Sequence, residues 1–346
     1  MEYVHGGDIY GIAGPVLDFS ANINPLGMPV EIKQALISSI DGWKHYPDPF
    51  CRQLIRAIAQ KEDCQPEQII CGNGAADLIF RLVLAKRPTT AMVLAPTFAE
   101  YEQALKMVDC KIKHYDLNPY SYFSLDDTFL NELQGIEMLF LCQPNNPTGE
   151  LISPDLMKRI LTVCQQREIL LVVDECFLEF VEHVKRYEMI SYLDYNNLFI
   201  LKAFTKLYAL AGLRLGYGIS SNRELLEQML LCGQPWSVST PAQIAGIAAL
   251  SLTGFPQQTR QYVKQQREYL LKQLTDLQYK VWSPQANYIL FYSHHLELQQ
   301  QLKQFQILIR DCSNYRGLEA GYYRIAVRSE QENRQLMTVL KQIEKE

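Results

Sequence analysis

Short apolar runs recur at 69–71, 91–95, 138–142, 169–173, 198–202 and 215–219, with helical patterns between them. The runs are continuous rather than alternating. Strands of that kind are buried on both faces, and strands alternating with helices stack as a mostly parallel sheet between helical layers. One of the helices is read over 153–167, where Ser153 can cap and Pro154 takes the first helical position. After about residue 220 the texture changes. A long polar helix near 256–277 leads to "VWSPQANYILFY", "FQILIRDC" and "YYRIAVRS", which read as a smaller α+β domain. No internal repeat or low-complexity tract interrupts the chain.

With 346 residues, 48% of them hydrophobic and 21% charged, the chain can bury a sizeable core. A net charge of −5 argues against a general nucleic-acid or anionic-membrane surface. The nine cysteines are scattered singly, without a CxxC pair, and several sit inside apolar runs as small hydrophobes. Neither a zinc site nor a disulfide framework is expected, and a reducing cytoplasm is. The start lacks the basic and apolar regions of a secretory signal, and no apolar run reaches the roughly 18 residues of a membrane span.

Open α/β sheets place ligands at the C-terminal ends of their strands, and four candidates lie there. "IICGNGAADLIF" is a strand, a glycine turn and a helix start, so Gly72, Gly74 and the amides of Ala75 and Ala76 could cradle a phosphate. The stretch lacks GK[ST] and the third glycine of GxGxxG, and an ordinary tight turn fits it equally well. "LCQPNNPTGELI" sets two asparagines between prolines after a strand, which a rigid loop also explains. Asp174 ends an apolar run and needs a cationic partner, as a structural salt bridge would supply. Lys206 lies just past another run, with Arg214 eight residues on; a snorkelling side chain is the plain alternative.

In this order, the four resemble the fold-type I pyridoxal phosphate enzymes, the aspartate-aminotransferase superfamily, over essentially the whole chain. That likeness implies a large domain with a mostly parallel seven-stranded sheet, over 31–222, and a small C-terminal domain over 223–346. It implies that Lys206 binds the cofactor as an imine and that Asp174 keeps the pyridine nitrogen protonated. Asn146 would donate to the phenolic oxygen, while Gly74, Ala75, Ala76, Thr205 and Arg214 would bind the cofactor phosphate. Phe98 of "APTFAEY" would stack on the ring, with Tyr101 the alternative. Tyr46 of "KHYPDP" resembles a tyrosine that reaches the phosphate of the partner subunit, which implies a homodimer with shared sites. Two departures stand out: Phe177 replaces a tyrosine and Ala203 a serine or threonine found in many relatives.

The cofactor alone permits several reactions. "VHGG", "DFSANINPLGMP", "GQPWSVSTPAQ", "ANYIL", "ILIRDCSNYRGL" and "YYRIAVRS" resemble one subfamily, the threonine-phosphate decarboxylases of cobalamin biosynthesis, with histidinol-phosphate aminotransferases the nearest siblings. The resemblance implies an arm over 1–30 that contributes to the substrate site. It also implies decarboxylation of O-phospho-L-threonine to (R)-1-amino-2-propanol O-2-phosphate. Arg310, Arg324 and Arg328, aided by His5 and Asn22, would hold the substrate anions, since arginine forks suit phosphate and carboxylate oxygens. A histidinol-phosphate aminotransferase is the alternative. A non-catalytic module on this fold would tolerate loss of Lys206 or Asp174, and both are present.

Overall fold

The computed structural model describes residues 5–282 and 284–345, so the first four residues of the expected arm lie outside the described part. Along the chain run β1 (Leu17–Asp18), α1 (Val30–Ser38), α2 (Arg52–Glu62), β2 (Ile69–Gly72), α3 (Ala75–Lys86), β3 (Thr90–Ala95), α4 (Ala99–Lys106), β4 (Lys111–Asp116) and α5 (Phe129–Glu132). Next come β5 (Met138–Cys142), α6 (Pro154–Gln166), β6 (Leu170–Asp174), β7 (Leu198–Ala203) and β8 (Gly216–Ile219). The remainder holds α7 (Arg223–Leu231), α8 (Thr240–Leu250), α9 (Phe255–Asp276), β9 (Lys280–Val281), β10 (Tyr288–Tyr292), α10 (Leu298–Gln304), β11 (Ile307–Leu308), β12 (Arg310–Asp311), β13 (Tyr322–Ala326) and α11 (Glu330–Ile343).

A seven-stranded sheet in the order β2-β8-β7-β6-β5-β3-β4 forms the larger part. Strands β4, β3, β5, β6 and β7 pair in parallel, while β8 runs against both of its neighbours. Every residue of β5 and β6 is buried, as continuous apolar runs require when helices cover both faces. Strand β4, "KIKHYD", lies at the edge and is only half-covered, so it carries no apolar run. Helix α6 begins as its sequence dictates: Ser153 Oγ accepts the Leu156 amide, Pro154 follows, and Leu156, Met157, Ile160, Leu161 and Cys164 turn inward.

The smaller sheet is antiparallel, in the order β12-β13-β10-β9, and is backed by α9, on which α11 packs. Helices α7 and α8 pack elsewhere, on α3 and on α1 and α2. Before α1 the chain crosses to the small sheet: β1 pairs in parallel with β11, and the Ala326 amide donates to Phe19 O at 2.8 Å. Phe19 is fully buried there. Among the described residues no helix is long and apolar enough to cross a membrane.

Candidate active site

A cavity of about 570 Å³ opens where the C-terminal ends of β6 and β7 meet the small sheet and the arm. Its floor is built from strand ends. Asp174, the last residue of β6, is 5% exposed and accepts the Tyr101 hydroxyl at 2.7 Å and the Cys176 amide at 2.9 Å. Burial pushes its carboxyl up, against those donors and the more distant Lys206 charge. Among the described residues no cation forms an ion pair with it.

Lys206 sits in the tight turn after β7, where its carbonyl accepts the Asn24 amide. Its Nζ lies 5.5 Å from the centre of the Phe177 ring. Burial, then the Arg324 charge, with Arg214 adding to both, bring its pKa down to about 8. The amine is therefore far closer to its reactive neutral form than a surface lysine. Lys202, four residues back and on the strand itself, has the opposite fate. It is 2.6 Å from Glu62 Oε2, 3.5 Å from Glu175 and 3.8 Å from Glu188. Those carboxylates raise its pKa despite burial.

Gly74 precedes α3 at φ +85°, and a Cβ there would come within 2.7 Å of Arg214 Nη2. Only glycine lets that guanidinium lie against the first turn of the helix. The α3 N-terminus and Arg214 together make a cationic cradle, which Ala75, Ala76 and Thr205 also line. On the facing wall, Arg324 of β13 donates to Asn146 Oδ1 and, at 2.9 Å, to Ser20 O. The first bond fixes the Asn146 amide so that Nδ2 is the group left to donate. Arg324 Nε has no hydrogen-bond partner among the described residues, and neither does Asn22 Oδ1. Both atoms are buried, and Arg324 and Asn22 line the cavity.

Arg310 lines the same end, held by Asn314 Oδ1 at 2.8 Å with its guanidinium 5.4 Å from the Tyr315 ring. His5 reaches it from the arm. Behind His5, the Gly7 amide donates to Ser20 Oγ at 2.7 Å, and a Cβ on Gly6 would stand 2.2 Å from Ser20 O. The His-Gly-Gly stretch is thus shaped to lie against the backbone of residue 20.

The structure brings together most of the residues singled out from the sequence. Phe98 lines the cavity, whereas Tyr101 is fully buried beneath it and serves Asp174 instead. Tyr46 is 81% exposed, stacks on Trp236 at 4.8 Å and does not line this chain's own cavity. Arg328 stands apart: just before α11, it is bound to Glu332 in that helix's first turn at 2.7 Å and does not line the cavity. Phe177 meets Tyr288 edge-on at 5.0 Å, and Ala203 lines the cavity, so neither departure leaves a polar group there. Glu100 also lines the cavity, although no motif in the sequence singles it out. Its signal was its place, two residues beyond Phe98 in the first turn after a strand end.

The aminotransferase class I and II family model matches residues 14–340. The threonine-phosphate decarboxylase of Salmonella typhimurium is 37% identical over 98% of this chain and 96% of its own. The adenosylcobalamin biosynthesis bifunctional protein CobDQ of Leptospira interrogans is 29% identical over 98% of this chain, a match spanning 41% of that longer protein. Among solved structures, the histidinol-phosphate aminotransferase of Clostridium acetobutylicum overlays with a TM-score of 0.89 at 27% identity, covering 95% of this chain and 99% of that one. With a family model matched across nearly its whole length, and a strand-end lysine, aspartate and glycine cradle around one cavity, the chain belongs to the aminotransferase class I and II family.

Proposed function

We propose that this chain removes CO2 from O-phospho-L-threonine, giving (R)-1-amino-2-propanol O-2-phosphate for cobalamin biosynthesis. The observation that carries the reading is the second cationic end of the cavity. Besides the cradle at Arg214, Arg310 and Arg324 converge with His5 and Asn22 on one space. An amino acid with a single carboxylate needs one arginine; two arginines, a histidine and an amide suit a substrate that also bears a phosphate. Full-length likeness to a threonine-phosphate decarboxylase supports the same conclusion.

The cofactor is pyridoxal phosphate, and the residues present fit it. Asp174 is a buried carboxylate with no ion-paired cation among the described residues, Lys206 is a buried lysine with its pKa brought down to about 8, and Gly74 leaves room for an anion beside Arg214. Asp174 would hold the ring nitrogen, Asn146 the phenolic oxygen and Phe98 one ring face. Gly74, Ala75, Ala76, Thr205 and Arg214 would hold the phosphate, with Tyr46 of a second copy. When bound, the cofactor supplies an electron sink for the pair left at Cα as a bond breaks. The chain's own groups choose which bond. If the arginine pair grips the substrate's phosphate, neither arginine is left to hold the α-carboxylate, which would be free to leave as CO2. Lys206 Nζ, once free, can take or give a proton near Cα.

In this reading residues 1–30 are an arm serving the substrate site, 31–222 the cofactor domain and 223–346 the small domain. A homodimer is supported by exposed apolar side chains, among them Tyr46 stacked on Trp236, Phe50, and Leu231, the last 86% exposed. A cytoplasmic setting is supported by nine cysteines without a disulfide. A second reading, transamination of histidinol phosphate, rests on the close overlay with that aminotransferase. One experiment separates them: purified protein with O-phosphothreonine, measuring CO2 and 2-oxo acid together. CO2 release without 2-oxo acid is expected. Stoichiometric 2-oxo acid from histidinol phosphate and 2-oxoglutarate, with no CO2 from O-phosphothreonine, would overturn the decarboxylase.

A further inference from the structure

Glu100 stands in the first turn of α4 and lines the cavity with Lys206 and Arg214. Its Oε1 lies 3.3 Å from His5 Nε2, and its side chain is 14% exposed. Its Oε2 is buried and accepts no hydrogen bond among the described residues. A carboxylate oxygen without a donor is costly to bury as an anion, and protonation relieves that cost.

Charged and titratable groups face it from each element around the cavity. They are His5 from the arm, Lys206 and Arg214 from the segment after β7, Asp174 from β6 and Tyr315 from the turn after β12. Arg310 and Arg324 stand near His5. Burial raises the Glu100 carboxyl to about 7; Asp174 adds to this, and Lys206 and Arg214 oppose it. His5 is lowered, first by burial and then by Arg310, Arg324 and Lys206, which favours its neutral imidazole. A phosphate dianion drawn to His5, Arg310 and Arg324 would bring like charge beside Glu100, and a like charge favours the protonated carboxyl.

We propose that Glu100 is a positioning residue that takes up a proton as the substrate's phosphate enters and then holds His5, and with it the arm, over the bound ligand. The proton comes from solvent. The carboxyl O–H donates to His5 Nε2, so the imidazole's own proton sits on Nδ1, where it is a donor suited to a phosphate oxygen. The inference rests on the phosphorylated-substrate reading above.

The test uses holoenzyme and O-phosphoethanolamine, which has the amine and the phosphate but no carboxylate to lose. Calorimetry in two buffers of different ionisation enthalpy counts protons taken up on binding, with ethanolamine as the control. Near pH 8 a carboxyl of pKa about 7 that becomes protonated should take up about half to one proton per site. Glu100→Gln should bind O-phosphoethanolamine yet lose that uptake, whereas His5→Gln should bind more weakly and retain it. Equal uptake in wild type and Glu100→Gln would overturn the inference while leaving the phosphate reading intact. Loss of uptake in His5→Gln but not Glu100→Gln would move the proton to His5, also overturning it. Ethanolamine binding as tightly as O-phosphoethanolamine would instead defeat the phosphate reading, and this inference with it.

Discussion

Replacing Arg324 with alanine asks which anion the small domain holds. Arg324 is 6% exposed, and its guanidinium does two jobs. It donates to Asn146 Oδ1 and Ser20 O, so truncation leaves two buried acceptors without that donor. That loss costs about 1–3 kcal/mol for each unsatisfied group. It loosens the arm and the Asn146 amide together, and it should strike every substrate alike. The Nε, which has no hydrogen-bond partner among the described residues, is the other job, since it is the donor left for a ligand. A charged hydrogen bond to the substrate contributes about 1.5–3 kcal/mol, roughly ten- to hundredfold in kcat/KM. Only this second loss depends on what the substrate carries. CO2 release should therefore be followed from O-phospho-L-threonine and L-threonine side by side, with cofactor content matched between wild type and variant. Beyond a shared decrease, O-phosphothreonine should lose an additional factor of about ten to one hundred. If both substrates fall by the same factor, Arg324 serves the α-carboxylate, and the geometric case for decarboxylation fails.

Further expectations concern the two lysines, the cradle and the assembly. Borohydride reduction of holoenzyme should abolish the visible absorbance and leave the pyridoxyl group on Lys206; recovering it on Lys202 would reverse their assignments. Lys202→Met leaves Glu62, Glu175 and Glu188 without their cation and should cost about 3–5 kcal/mol, read as a lower urea midpoint. Burial pushes the Glu62 carboxyl up, but the Lys202 charge and the bonds from Lys202 and Tyr217 outweigh it and hold the group low. In the variant that depression is gone, so the deficit should widen from about pH 5 to about pH 8 as the buried carboxyls must ionise; a deficit that narrows would refute the cluster's role. Gly74→Ala should displace Arg214 and raise the dissociation constant for pyridoxal phosphate in apoenzyme reconstitution, and unchanged affinity would remove Arg214 from the cradle. Mixing an inactive Lys206→Ala chain with an inactive Tyr46→Ala/Arg214→Ala chain should restore some activity through one sound hybrid site, and heterodimers without recovery would show that sites are not shared.

The parts legible in the sequence were those where one residue type answers one physical demand. Continuous apolar runs announced the buried strands, and a polar residue at such a strand's end marked Asp174 and Lys206 as places where a charge had to be compensated. Strand β4 was not legible in that way because an edge strand is half wet, and its lysines and histidine dilute the signal. The site's second layer was hidden for a different reason. Tyr101 looks like an alternative ring-stacking residue, and only its 2.7 Å bond to Asp174 assigns it to the carboxylate. Glu100 and His5 are 95 positions apart by subtraction and touch because the arm crosses to the small sheet, which no local pattern encodes. Arg328 misled because it shares a stretch with Arg324, yet it lies beyond the strand end, where Glu332 claims it.

The pairing of β1 with β11 has a mechanical meaning. Residues 17–19 are hydrogen-bonded to the strands of the small domain, so His5 hangs from the same frame as Arg310 and Arg324, while Asn22 lies between that frame and Asn24, whose amide donates to Lys206 O. Asp174, Lys206 and the α3 cradle hang from the large sheet. On the function proposed above, the cavity is a vice with one jaw for the substrate and one for the chemistry, and Asn146 with Arg324 spans the gap between them. Such a division means that the grip on the substrate, set by one jaw, chooses which bond the chemistry of the other jaw breaks.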